Sequence, residues 1–252
     1  MIEGRDSSSA PSLATLFHES AGAATEAEVG WYAARLPRGR GVALDAMTGT
    51  GRMLVPLLDA GFQVHGAEAS RALLARARSE VERRGHATEL FAQSATALNL
   101  PFRYGAAFVA GGAFQRLVDP SAALDALLRI RAHLVPPAVL LLDLVVPAGA
   151  EHPPGAAVIE VQTVTPGDGG RIGLRSETSF DVAQKRIDVV RRYERRDRQA
   201  IVSREDETVS FTWYTEDQAA ALLEAAGYRD LAIETAAVSS GRGRHFAVMA
   251  RA

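Results

Sequence analysis

No cysteine occurs in the chain. That excludes a disulfide framework, a thiolate metal site and a cysteine nucleophile, and it suits a reducing compartment. Lysine is nearly absent as well. Lys185 is the only one, and arginine supplies the rest of the 28 basic residues. Set against 30 acidic residues, they leave a formal net charge of −2. No positive excess draws the chain to nucleic acid or to an anionic membrane. No apolar run approaches the ~20 residues that span a bilayer. No charged-then-apolar leader opens the sequence, so a cytoplasmic rather than a secreted protein is expected. The six histidines show no metal-ligand spacing, and no metal is expected. Ile2-Glu3-Gly4-Arg5 reads as a Factor Xa cleavage site, so residues 1–10 carry no functional weight.

What the chain has in quantity is apolar side chains, 47% of 252 residues, enough for one large core. Asp6 to Pro11 reads as a disordered lead-in. Residues 12–36 read as helix in two pieces broken near Gly22. Val42-Ala43-Leu44 is a buried strand entering a Gly-rich turn. Helix spacing follows over Arg52–Ala60, and Gly61 stops it. Phe62–Ala67, Thr88–Phe91, Ala106–Ala110 and Val139–Val145 read as further strands. Ser70 and Ser121 are placed to cap the intervening helices, and Pro136-Pro137 to end the second of them. Strands apolar on both faces, alternating with helices, predict a doubly wound, Rossmann-like α/β sheet that is mainly parallel. The pattern then changes. Ala157–Thr165, Arg171–Phe180, Arg186–Glu194 and Ile201–Trp213 have period-2 character and predict an antiparallel insertion. A helix capped by Thr215 and stopped by Gly227 returns the chain to the core. Leu231–Val238 and His245–Ala250 form a final strand pair that closes the sheet with an antiparallel last strand. The expected domains are a helical lid over 1–36, a core over 37–150, the insertion over 151–213 and the rest of the core over 214–252.

The first loop, Asp45-Ala46-Met47-Thr48-Gly49-Thr50-Gly51, carries the chemistry. A strand that delivers a Gly-rich turn to a helix presents outward N–H groups. Gly49 and Gly51 remove side chains that would keep a ligand off the backbone. Asp45 can accept from a cationic or amino group. Glu68, at the end of the second strand, stands where an acid binds a ribose diol. A dinucleotide loop needs G-x-G-x-x-G, but Gly49-Thr50-Gly51-Arg52-Met53-Leu54 has leucine at the third glycine. S-adenosylmethionine carries ribose, adenine and an amino-acid tail with no diphosphate. An acid at position 45 suits that tail.

On these residues the sequence resembles the class I S-adenosylmethionine-dependent methyltransferases. The resemblance spans about residues 40–252. It adds Glu68-Ala69-Ser70, the stretch Ala92–Pro101, and the late Tyr214-Thr215-Glu216 and Leu223–Tyr228. It implies that Asp45, Thr48, Gly49, Thr50 and Gly51 hold the methionine tail, Glu68 and Ala69 the ribose, and Ser94 and Ala95 the adenine, with Gly111 beside them. Met47 stands where the family has its first glycine, and Ser94 where it has an acid.

The implied function is methyl transfer to a small molecule, an amine, amino sugar or other metabolite, on nitrogen or oxygen. A hydroxyl acceptor needs a base, for which His18, Tyr32 and Tyr193 are the candidates. Three other readings stay open: a non-methylating reaction such as a cyclisation around a bound cofactor, an RNA or protein methyltransferase using Arg191–Arg198, and, more remotely, a nicotinamide dehydrogenase. Trp31, Tyr32 and Trp213 divide between core and substrate pocket. Asp143, an acid inside the apolar fifth strand, reads as structural. Membrane and nucleic acid are not expected as partners; a homodimer stays open, because the sequence does not fix the oligomeric state.

Overall fold

The computed structural model describes residues 12–20, 24–39, 41–148, 157–167, 170–198, 200–235 and 243–252. The lead-in before Ser12, the break at Gly22, most of the 147–155 turn region and residues 236–242 of the final loop lie outside these. The chain forms two compact units.

The larger unit takes residues 23–156, 179–188 and 210–252. Its centre is a seven-stranded sheet. In chain order the strands are β1 (Val42–Asp45), β2 (Gln63–Ala67), β3 (Leu90–Phe91), β4 (Tyr104–Val109), β5 (Leu134–Pro147), β10 (Arg229–Thr235) and β11 (Gly243–Arg251). In space they run β10-β11-β5-β4-β1-β2-β3. β1 pairs in parallel with β2 and β4, β2 with β3, and β4 with β5. β11 alone runs against its neighbours β5 and β10. The mainly parallel sheet with one antiparallel strand is therefore as the sequence predicts.

Both faces of the sheet are buried because alternate side chains point opposite ways. Leu44, Ala107, Leu140, Leu142 and Phe246 pack on one side with α5 (Pro120–Ala132) and α6 (Glu216–Ala225). Ala43, Ala106, Phe108, Leu141 and Ala247 pack on the other. There they meet α2 (Glu26–Ala33), α3 (Leu54–Asp59) and α4 (Arg71–Arg83). Ser70 caps α4 by accepting from Leu73 N–H. Thr215 caps α6 in a reciprocal box with Gln218.

Both ends of α5 differ from what the sequence predicts. Asp119, not Ser121, caps α5, and it accepts the Ser121 N–H at 2.9 Å. Pro120 between them sits at the first helical position, where its fixed φ fits and its missing N–H is no loss. Pro136-Pro137 do not end that helix. It closes at His133, and both prolines lie inside β5. The β4–β5 register shifts between Tyr104 and Ala106, opposite this stretch, so the ladder is irregular where proline donors are missing.

The smaller unit is built from residues up to 22, 157–178 and 189–209. A four-stranded antiparallel sheet, in the order β6 (Ala157–Val164), β7 (Arg171–Asp181), β8 (Arg186–Asp197) and β9 (Ala200–Thr212), runs through these segments. Helix α1 (Leu13–Ser20) sets Leu13 and Phe17 against Ile172, Leu174 and Tyr193 in a small core.

Gln115 secures both ends of the insertion within the larger unit. It lies on the short 3-10 turn Ala113–Arg116 and is 5% exposed. Its amide donates to the carbonyls of Val145 and Thr212, each at 2.8 Å, and accepts the Val145 N–H at 2.8 Å. Val145 lies two residues before the end of β5, and Thr212 is the last residue of β9. Gln115→Leu leaves three backbone groups unpaired, and urea unfolding is expected to show a loss of about 2–4 kcal/mol.

Candidate functional site

The spatial order of the sheet reverses direction between β1 and β4, with β2 and β3 on one side and β5 on the other. In open α/β sheets, ligands bind at the carboxyl ends of the strands at such a point. Two loops flank it here, Ala46–Arg52 after β1 and Ala110–Gly112 after β4.

Asp45, the last residue of β1, is 2% exposed. Its Oδ2 accepts the Thr48 hydroxyl at 3.0 Å, while its Oδ1 is buried with no hydrogen-bond partner. Burial pushes the Asp45 carboxyl up to about 7. Glu68 adds to the shift, while Thr48, the Met47 N–H and Arg52 oppose it. Thr48 is itself buried and donates its N–H to the Ala67 carbonyl, which fixes the turn to β2. Thr50 is half-buried on the same turn. Gly49 and Gly51 have φ of +56° and +87°, a region that favours glycine. A Cβ on Gly49 would meet nothing within 4 Å, so open space faces the loop there. A Cβ on Gly51 would press on Val55 at 3.2 Å and Ala77 at 3.4 Å.

Glu68 bridges the first two loops. Its Oε2 accepts the Gly49 N–H at 2.9 Å and its Oε1 the Ser70 N–H at 2.8 Å. Next to it, Ala69 is exposed. Ser94 caps the 3-10 turn Ala95–Ala97, so its hydroxyl is engaged locally with Thr96. Ala95 is buried in the core cluster, and any ligand contact there is through backbone. The sequence thus brings Asp45, Thr48, Gly49, Gly51 and Glu68 into one turn system, with Ser94 and Ala95 following the next strand.

The β4 loop is held from below by Asp143. This carboxylate on β5 is 3% exposed. Its Oδ2 accepts the Gly111 N–H at 2.8 Å and the Tyr32 hydroxyl at 3.0 Å, and its Oδ1 accepts the Gly112 N–H at 2.6 Å. Both glycines have positive φ, +67° and +65°. Burial raises the Asp143 pKa against these three donors. Tyr32 is fully buried and its pKa is raised well above the ordinary value, first by burial and then by the Asp143 charge. It is placed as a donor that holds Asp143, not as a proton acceptor. Neighbouring Trp31 donates to Glu234 at 3.2 Å, so both aromatics of α2 are buried and tied to the sheet.

Two charged residues complete the crevice, and the sequence reading assigned neither of them a role. Arg52 makes a two-pronged ion pair with Glu28 on α2, Nη2 to Oε1 at 2.8 Å and Nη1 to Oε2 at 3.2 Å. Glu28 is 1% exposed and also closes the capping box with Thr25. Burial pushes its pKa up, but Arg52 and the Thr25 N–H outweigh that and leave it lowered.

The other base candidates lie in the smaller unit. Tyr193 is fully buried beside Phe17, its hydroxyl donates to Glu207 at 3.1 Å, and burial pushes its pKa up to about 12. His18 lies on α1, and its side chain is outside what the structure describes. The arginines of β8 are matched by acids, Arg192 with Asp206 at 2.9 Å and Arg191 with Glu207 at 3.6 Å. Arg196 likewise meets Glu194 at 2.8 Å. These three arginines are each paired with an acid and so form no uncompensated basic stripe. Among the described residues no group of histidines and acids could hold a metal ion. No helix there is long and apolar enough to cross a membrane.

Residues 43–137 match the family described as methyltransferase domain. A glycine/sarcosine N-methyltransferase from Halorhodospira halochloris is 36% identical over 108 residues. That alignment covers 42% of this chain and 40% of the relative, so the chain matches less than half of that protein. The sugar N-methyltransferase KedS8 from Streptoalloteichus sp ATCC 53650 superposes with a TM-score of 0.74 at 22% identity, covering 100% of this chain and 99% of that one. The S-adenosylmethionine-bound amino pentose methyltransferase CalS10 from Micromonospora echinaspora gives 0.73 at 20% identity, covering 98% and 100%. Streptomyces venezuelae DesVI gives 0.75 at 19%, covering 95% and 96%. At these identities the superpositions establish a shared fold. The resemblance read from the loop, to class I methyltransferases, is borne out in domain family and fold.

Proposed function

We propose that this chain, whose residues 43–137 match the methyltransferase domain family, is an S-adenosylmethionine-dependent methyltransferase acting on a small-molecule amine. The observation that carries the reading is the unpartnered, buried Oδ1 of Asp45 beneath a turn with open space over Gly49. A buried carboxylate oxygen with no donor is costly unless a ligand supplies one. The ammonium of a methionine tail is such a donor. The left-handed glycines let that tail lie on the backbone, Glu68 faces the ribose, and residues 94–95 offer backbone to the adenine. The domain match and the N-methylating relatives support the same cofactor and acceptor class.

When bound, the cofactor supplies an electrophilic methyl group on a sulfonium, ready for in-line displacement. The chain's part is to align the acceptor and exclude water. In the larger unit the Tyr32 proton is committed to Asp143, and both Asp143 oxygens are occupied by three donors. These groups set the β4 loop and do not serve as a base, which favours an acceptor that arrives as a neutral amine. A cytoplasmic location belongs to the same reading.

Calorimetry with S-adenosylmethionine and S-adenosylhomocysteine tests the cofactor, and absence of binding to folded protein ends the proposal. Transfer of labelled methyl to small amines in preference to matched alcohols tests the acceptor class. Glu68→Ala deletes two charged bonds that organise the turn and removes the ribose partner. S-adenosylhomocysteine affinity is expected to fall by about 1.5–3 kcal/mol, and unchanged affinity means the ribose lies elsewhere.

A further inference from the structure

Asp45 answers only half of a zwitterionic tail. We propose that Arg52 is the anchor for the carboxylate of that tail and that Glu28 is the positioning residue that holds Arg52 ready. The inference rests on the reading above that the β1 loop binds S-adenosylmethionine.

Three observations carry it. The first is place. Arg52 directly follows Gly51, yet its Nη2 lies 3.3 Å from where a Cβ on Gly111 would stand. The guanidinium therefore reaches from the β1 loop to the β4 loop across the crevice where the strand order reverses. The second is the asymmetry of its ion pair. The Glu28 side chain is 2% exposed and the Arg52 side chain 31%. Glu28 grips Nη1 and Nη2 from the buried side. A guanidinium has five N–H donors in a planar fork, so these two bonds leave donors for a second carboxylate. The third is charge. Arg52 is the cation acting on Glu28, Asp45 and Asp143 alike. A carboxylate entering among these acids is repelled unless it meets the guanidinium, and an Arg–carboxylate contact is the stronger, two-pronged kind.

The bland alternative is that the pair only pins α2 to the loop. Two ligands separate the cases: S-adenosylmethionine and its decarboxylated analogue, which keeps the sulfonium and the amine. Wild-type protein in a calorimeter is expected to prefer the carboxylated ligand on the order of 10- to 100-fold. Arg52→Gln is expected to abolish that preference by weakening S-adenosylmethionine alone, with the decarboxylated ligand changed by less than about twofold. Arg52→Lys should recover part of the difference. The double variant Glu28→Gln/Arg52→Gln leaves no buried unpaired acid, and it gives the same answer if the single variant unfolds. Equal losses for both ligands, or no loss for either, overturn the proposal. Wild-type protein that binds neither ligand overturns the cofactor reading itself.

Discussion

Asp45→Asn is expected to yield a more stable protein that has lost most of its cofactor affinity. Both effects follow from one buried oxygen. The Asp45 carboxyl is pushed up to about 7 because burial disfavours its charge. The folded state therefore holds this proton more tightly than the unfolded chain does. Stability from this group is fully present below the unfolded pKa of about 4 and is lost as pH rises through about 7. Above that, the ionised carboxylate is a standing penalty of up to about 4 kcal/mol by linkage. Asparagine removes the charge but buries an amide donor where Oδ1 lacks a partner, so a net gain of about 1–3 kcal/mol at pH 8 is expected from urea unfolding. The same change removes the charged acceptor for the ammonium, and S-adenosylhomocysteine affinity should fall about 100-fold. Wild-type affinity should weaken by about tenfold per unit as pH drops from 7 to 5, because protonated Asp45 no longer attracts the ammonium. The variant should show a flat profile over that range. A retained pH slope in Asp45→Asn assigns the titration to another group.

Much of this site was legible because it is local. Asp45, Thr48, Gly49 and Gly51 fall within seven consecutive residues. A strand ending in a Gly-rich turn has few physical uses. Glu68 was legible by the same logic one strand later. The layered fold followed from strands apolar on both faces, and the insertion from the switch to period-2 pairing. The residues that complete the crevice are of another kind. Glu28 and Arg52 are 24 positions apart, and Tyr32 and Asp143 are 111 apart. Thr25-x-x-Glu28 is a readable capping box, but it announces a helix start, not a second bond from Glu28 to a distant arginine. Tyr193 is a substrate-side candidate on chemistry alone. The alternation of β8 instead turns it into the small core beside Phe17. Asp143 did leave a signal. It is the only charged residue between Leu134 and Pro147, and the strand tolerates it because three donors converge on it.

That convergence makes Asp143→Ala the most damaging single change expected in the core. Removing the carboxylate leaves the Tyr32 hydroxyl and the Gly111 and Gly112 N–H groups without their acceptor. Each unsatisfied buried donor costs about 1–3 kcal/mol. Partial relaxation of the exposed side of the loop brings the expected total to about 3–5 kcal/mol in urea unfolding. Tyr32→Phe deletes one of the three bonds, leaves the carboxylate with its two backbone donors, and should lose only about 1 kcal/mol. The functional consequence is separate from the stability loss. Gly111 and Gly112 hold left-handed conformations that set the wall of the crevice opposite Asp45, and Asp143 is what fixes their N–H vectors. At a temperature where both variants remain folded, Asp143→Ala should therefore weaken S-adenosylhomocysteine binding at least tenfold, about 1.4 kcal/mol or more. Tyr32→Phe should bind it nearly as wild type does. Asp143→Asn sharpens the distinction. It keeps the shape but offers a single acceptor oxygen, with its amide facing one backbone N–H, so it should fall between alanine and wild type in both measurements. Equal cofactor affinity across the three variants would mean that the β4 loop keeps its shape without Asp143, and that the carboxylate serves stability alone.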